Sequence, residues 1–140
     1  MSHNCKNFLL CCMDFRLQTA IINWLSVNGY TGDTDIILVP GSCKVVAENQ
    51  EGCQAGLILD GIRLSYEKHG VRRFFLTMHE DCGAYGGQSA FVSAEAETSK
   101  HLTDMKKVRD FLKEKYPDAE VKSFRIKKSD DGWEFEEIAE

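Results

Sequence analysis

Asn7-Phe8-Leu9-Leu10-Cys11-Cys12 is a six-residue run with a single polar residue at its head and two thiols at its end. An apolar run of that length, without polar alternation, suits a strand buried on both faces, the environment of a parallel sheet. Working outward, Leu17, Ile21, Trp24 and Leu25 recur at helical spacing, and Asn28-Gly29 supplies a stop. Asp35–Val39 (DIILV) reads as a second buried strand ended by Pro40-Gly41. Ala55, Ile58, Leu59, Ile62 and Tyr66 mark one face of a second helix, with Gly70 just past its end. Arg72–Met78 (RRFFLTM) is the third strand. A long helix is expected from about Ser89 to Lys115, with Met105, Val108, Phe111 and Leu112 inward and Pro117 beyond its end. Two strands, Glu120–Lys127 and Trp133–Ile138, flank the turn signal Ser129-Asp130-Asp131-Gly132.

Strands alternating with helices imply an α/β three-layer sandwich with helices on both faces of a mostly parallel sheet. The expected strand order is 2-1-3-4, with the final hairpin adding an antiparallel edge strand. The 140 residues fit one domain, residues 1–140. A formal charge of −5 argues against nucleic acid and anionic membranes as partners. No window has the ~20 apolar residues of a membrane span. Met1-Ser2-His3-Asn4 lacks the apolar stretch of a secretory signal, so a cytoplasmic protein is expected. Six cysteines, two of them adjacent, do not form the spaced framework of a small secreted domain. In a reducing compartment, thiols near a histidine point to metal or catalysis.

Two segments carry that chemistry: Cys12-Met13-Asp14-Phe15-Arg16 and His79-Glu80-Asp81-Cys82-Gly83. Each begins where a buried strand is expected to stop. Open parallel sheets bind ligands outside the carboxyl ends of strands, where strand order reverses. In a 2-1-3-4 order that crevice lies between the first and third strands, so Cys12 and His79 end on one edge and Cys82 can turn back towards them. Two thiolates and an imidazole suit Zn2+. Three protein ligands leave a fourth position for water, whose pKa zinc lowers from ~15.7 to about 7. Asp14 and Arg16 are placed to form a carboxylate–guanidinium pair that keeps Asp14 ionised and able to accept a hydrogen bond from that water. Freed from Arg16, Asp14 can instead ligate the metal. Cys43 offers a third thiolate, which would close the site as a structural Cys₃His centre. The fourth ligand is thus left open between water, Asp14 and Cys43.

These residues resemble the signatures of the β-class carbonic anhydrases, Cys-x-Asp-x-Arg and His-x-x-Cys after successive strands. The stretch from Ala55 to Gly70, followed by VRRFFLTMHEDCGAYGG, looks like that family's helix, strand and zinc loop, including Asp81 and Gly83. The resemblance implies zinc on Cys12, His79 and Cys82, with Asp14 and Arg16 as the catalytic dyad. It implies reversible hydration of carbon dioxide to bicarbonate by a zinc-bound hydroxide, in a homodimer or higher homo-oligomer with active sites near the interface. Two other readings share the scaffold: a zinc hydrolase of carbon disulfide or carbonyl sulfide, and a zinc protein without hydratase activity.

The sequence departs from the family pattern in three places. Cys12 lies so near the start that a helical arm wrapping a partner is expected to be missing. Val39-Pro40-Gly41-Ser42-Cys43 replaces an Arg-Asn-Ala-Gly-like segment, and Met78 replaces a glycine before the histidine, where it is expected to crowd the metal loop. Elsewhere, Cys5, Cys11 and Cys53 are read as structural, with Cys11 facing away from Cys12. His69 is read as a helix-end residue, Tyr85 as packing or lining the pocket mouth, and His3 and His101 as exposed. Glu134, Glu136, Glu137 and Glu140 are read as a solvated strand face.

Overall fold

A computed structural model describes residues 3–139; Met1, Ser2 and Glu140, of the expected N-terminus and acidic tail, lie outside the described residues. Five strands, β1 (Asn7–Cys12), β2 (Thr34–Val39), β3 (Arg73–His79), β4 (Glu120–Ser129) and β5 (Gly132–Glu137), form one sheet of order β2-β1-β3-β4-β5. The first four are parallel, and β5 returns antiparallel beside β4 through the two-residue turn Asp130-Asp131. This is the expected α/β three-layer sandwich. Helix α1 (Gln18–Val27) covers one face, where Leu17, Ile21 and Leu25 join Leu9, Cys11, Phe75 and Ile126. Helices α2 (Lys44–Glu48), α3 (Cys53–Lys68) and α4 (Ala94–Lys115) cover the other, packing Val46, Ile58, Ile62, Met105 and Leu112 on Phe8, Leu10, Phe74 and Leu76.

The ladder between β1 and β3 stops at Leu10↔Leu76, although both strands run two or three residues further. The Leu10 carbonyl accepts hydrogen bonds from Thr77 Oγ1 (2.8 Å) and Ser42 Oγ (3.2 Å) instead. These hydroxyls satisfy a buried acceptor that would otherwise cost about 1–3 kcal/mol. The two strands part there, and the crevice at the switch point opens between their ends.

Three expectations need correction. β2 is not buried: it is the sheet edge, and Ile36 and Leu38 remain 44% and 47% exposed. The reason is the position of α1, whose Trp24 stacks on Phe135 of β5 (4.5 Å between centroids, 8° between planes) and meets Phe75 and Phe124 edge-on. The helix leans towards β5 and leaves the outer face of β2 open. The long helix starts at Ala94 rather than near Ser89, because Ser93 caps it by accepting from the Ala96 amide (3.0 Å), while Gln88–Ala90 forms a separate 3₁₀ turn. His101 is not exposed but fully buried. It lies on the inward stripe Glu97, His101, Met105, Val108, Leu112, and its ring packs near Tyr85 and Phe91.

Among the described residues neither ring nitrogen of His101 has a protein hydrogen-bond partner, and burial together with Arg125 pushes its pKa down to about 4. The folded state therefore refuses a proton that the unfolded chain accepts near pH 6.5. Stability should be unaffected by this residue above pH 6.5 and should fall by roughly 3 kcal/mol between pH 6.5 and 4. Denaturant unfolding of the wild type and His101→Leu across that range checks this: the difference between them should grow in favour of the variant as pH falls. A constant difference would show that His101 is protonated in the folded protein.

Candidate metal centre

Cys12 ends β1 and His79 ends β3; Cys82 follows after a turn in which Asp81 takes a left-handed backbone (φ 57°). Cys12 Sγ, His79 nitrogen and Cys82 Sγ all lie within 4.8 Å of one another, and all three residues are buried. The two sulfurs are 3.9 Å apart, far beyond a disulfide and close to the roughly 3.8 Å edge that two 2.3 Å zinc–sulfur bonds make in a tetrahedron. His79 Nδ1 is 2.7 Å from the Glu80 carbonyl, which can only accept, so Nδ1 carries the proton. The lone pair is thereby left on Nε2, a buried atom without a hydrogen-bond partner among the described residues. A tautomer fixed through the other nitrogen is the usual arrangement of a metal-ligating histidine. The donor set fits zinc.

The two thiols share one proton. Cys82 and the amides of Gly41 and Asp14 favour the Cys12 thiolate, while that neighbouring sulfur and burial hold the Cys82 proton tightly. Two thiolates this close need a cation between them.

Asp14 and Arg16 lie beside this cluster, with Asp14 Oδ2 3.8 Å from His79 Nε2. Arg16 Nε donates to Asp14 Oδ1 (3.1 Å) and Oδ2 (3.2 Å), and Nη2 to Oδ2 (2.7 Å). Asp14 Oδ1 also caps the short turn Phe15–Leu17 by accepting from the Arg16 amide (2.9 Å). Arg16 holds the Asp14 carboxyl below the usual carboxylate range. The guanidinium also reaches across the crevice, donating to Asp81 Oδ2 (3.1 Å) and the Asp81 carbonyl (3.0 Å). The amide of Gln88 and then Arg16 lower the Asp81 pKa to about 2. Cys12, Asp14, Arg16, Gly41, Asp81 and Gly83 contribute to the walls of an open cleft of about 810 Å³. Gly41 sits at φ 77°, and a Cβ there would fall 2.9 Å from the Ala84 Cβ, so the turn after β2 lies directly against the metal loop.

A sequence profile described as "Putative carbonic anhydrase" matches residues 2–139. The chain belongs to this family. An uncharacterised protein of Rickettsia conorii is 29% identical over 122 residues, which are 85% of this chain and 66% of that protein. One of Rickettsia bellii is 26% identical over 122 residues, 85% of this chain and 74% of that protein. The chain thus spans just under two thirds of the first relative's length. Among solved structures, a carbonic anhydrase from Glaciozyma antarctica superposes with a TM-score of 0.57 at 19% identity, covering 95% of this chain and 81% of that one. The β-carbonic anhydrase CafA of Aspergillus fumigatus gives 0.52 at 15%, covering 99% and 78%. Both share the fold.

The remaining candidates settle differently. Cys43 is fully buried at the start of α2, in the cluster on the α2–α4 face, where burial pushes its thiol up to about 12; its sulfur is not among the donors that meet at Cys12. Met78 packs into that same cluster. Cys11 and Cys12 both belong to the α1-side cluster, so strict alternation ends with the strand. Tyr85 is half-buried, donates to Asp104 Oδ2 (2.5 Å), and packs.

Two supporting residues escaped the sequence reading. Trp133 of β5 lies under the Arg16 guanidinium (5.2 Å) and edge-on to His79 (5.8 Å). Glu97, 4% exposed, accepts from the Asp81 amide (2.9 Å) and pairs with buried Arg125 (3.3 Å). Its only sequence signal was its place four residues before His101 on the inward stripe of α4. The ion pairs Arg125–Glu97 and Asp81–Arg16–Asp14 are thus joined through the Asp81 backbone amide. Glu97→Ala should weaken zinc affinity by about 10- to 100-fold and stability by roughly 3 kcal/mol. Competition with a chromophoric chelator and denaturant unfolding measure the two. An unchanged affinity would show that the metal loop stands without Glu97.

Proposed function

We propose that this chain catalyses the reversible hydration of carbon dioxide to bicarbonate and a proton, with zinc held by Cys12 Sγ, His79 Nε2 and Cys82 Sγ. One observation carries the reading: three metal donors converge at the wall of a cleft, where Cys12 meets a carboxylate that Arg16 locks 3.8 Å from His79 Nε2. Zinc with three protein ligands keeps a position for water and lowers its pKa towards 7, supplying hydroxide at neutral pH.

The chain's own groups do the rest. Asp14 stays ionised at neutral pH, so Oδ2 acts only as an acceptor and orients a hydroxyl donor next to His79 Nε2. Arg16 commits each of its three nitrogens to Asp14 or Asp81 and serves as the brace between the two motifs. Met13 and Phe15, 59% and 77% exposed, line the same cleft and offer an apolar approach to a neutral, poorly hydrated substrate. The cleft is open to solvent, which is the route for the released proton. A structural zinc would gain nothing from the Asp14–Arg16 pair, and this favours catalysis over a purely architectural site.

The finer setting follows from the same reading. We place the protein in the cytoplasm, in accord with six unbridged thiols; no described helix is long and apolar enough to cross a membrane. We assign a homodimer, with a second copy against the open β2 edge, where Ile36 and Leu38 are exposed.

Stopped-flow hydration of carbon dioxide by zinc-loaded protein, beside a carbon disulfide assay, tests the activity. Asp14→Asn should cut hydration by about 100-fold or more with zinc content unchanged. Full activity in that variant would remove Asp14 from the mechanism, and hydrolysis of carbon disulfide alone would replace the substrate. For the assembly, Leu38→Glu should lower the mass found by sedimentation equilibrium to that of one chain; a wild type that already sediments as one chain would sink the dimer.

A further inference from the structure

A second set of metal donors meets at the opposite end of the sheet. Cys5 Sγ, an Asp35 carboxylate oxygen and a His69 ring nitrogen lie within 4.8 Å of one another, all half-buried. They come from three elements: the segment entering β1, the start of β2, and the residue capping the C-terminus of α3. The backbone holds them together, since the Cys5 amide donates to the His69 carbonyl (2.9 Å). Helix capping does not explain the His69 ring, whose Nδ1 lies 2.6 Å from Asp35 Oδ2 rather than at the helix carbonyls. Ser65 Oγ donates to the same carboxylate oxygen (2.6 Å) and fixes its orientation, as supporting residues do for metal-bound carboxylates.

We propose that Cys5, Asp35 and His69 form a second binding site for a divalent ion of the zinc class. Sulfur, nitrogen and carboxylate oxygen are the three donor types that zinc accepts, and a fourth position faces solvent. Cys5 borders a cleft of about 650 Å³ that also includes Asn4, Lys6, Asp33 and Gly70, which gives an ion its way in. Ligand atoms around a tetrahedral ion with 2.0–2.1 Å bonds sit about 3.3 Å apart. The 2.6 Å contact between His69 and Asp35 therefore has to lengthen by less than an ångström, within reach of a carboxylate rotation. The ion takes the place of the Nδ1 proton that now bridges the pair, and that proton leaves to solvent together with the thiol's. Burial and the charges of Asp35 and Asp33 hold the Cys5 thiol protonated when no cation is near, and a cation reverses that balance. The site is independent of the first one, because Cys5 and Cys12 lie beyond or at opposite ends of the six-residue β1, roughly 20 Å of strand. Bound there, the ion clips the chain's entry into the sheet to the end of α3.

Metal-free full-length protein is dialysed against zinc or cobalt and the bound metal is counted by elemental analysis. The wild type should hold two ions per chain. Cys5→Ser and His69→Gln should each hold one, Cys82→Ser should lose the other one, and Cys53→Ser, at an exposed thiol, should keep both. In the cobalt protein, thiolate-to-metal charge-transfer absorption should fall by about a third in Cys5→Ser, as three thiolates become two. One ion per chain in the folded wild type overturns the proposal. So does a second ion that survives both Cys5→Ser and His69→Gln, or that disappears with Cys53→Ser.

Discussion

The parting of β1 from β3 after Leu10↔Leu76 is the constraint from which the metal centre follows. Parallel pairing brings the two strands to one edge; had the ladder continued, backbone would fill the space between Cys12 and His79. Ending it leaves a carbonyl in the core, and Thr77 and Ser42 satisfy that acceptor from two sides. Both hydroxyls therefore belong to the architecture of the site although neither touches a metal donor. The gap they keep open is spanned by Arg16, which ties the loop after β1 to the loop after β3 through Asp14 and Asp81.

Charge is arranged around that span in alternating signs. Two thiols that cannot both ionise alone sit beneath a carboxylate already neutralised by a guanidinium, and the guanidinium is shared with a second carboxylate. Behind it, Glu97 accepts from the Asp81 amide and is itself paired with Arg125 inside the protein. A cation added at the thiols thus enters a network whose other charges are already paired. Little else has to rearrange when it binds, and a preorganised site of this kind holds its geometry through a reaction.

Much of this was legible in the sequence, and the failures have physical causes. The short strands read at Asn7–Cys12 and Arg72–Met78, alternating with helices, gave a parallel core, and strand order then brought distant motifs together. DIILV looked equally buried, but hydrophobicity does not say which strand is the edge; the lean of α1 towards Trp24's aromatic partners does. His101 was misread by residue type although its spacing to Met105 placed it inside. The roles of Trp133 and Glu97 escaped the sequence reading, because they depend on hairpin register and on a helix passing behind a loop. The spacing of Glu97 to His101 did place it on the inward stripe. Cys43 looked like a rival ligand only while the face it occupies was unknown. His69 was correctly put at a helix end, but its ring is claimed by Asp35, thirty-four residues earlier in the chain.

The close approach of Gly41 to Ala84 bears on how such proteins can diverge. Position 41 admits no side chain unless position 84 gives one up, and its left-handed backbone penalises any replacement further. Sequence drift in the turn after β2 and in the metal loop is consequently coupled. Ala84 can shrink to glycine by itself, whereas a side chain at position 41 needs that change first and still meets the Lys44 Cβ at 3.1 Å. A side chain gained at position 41 should therefore appear in descendants together with a smaller residue at position 84, although the two lie in separate stretches of chain.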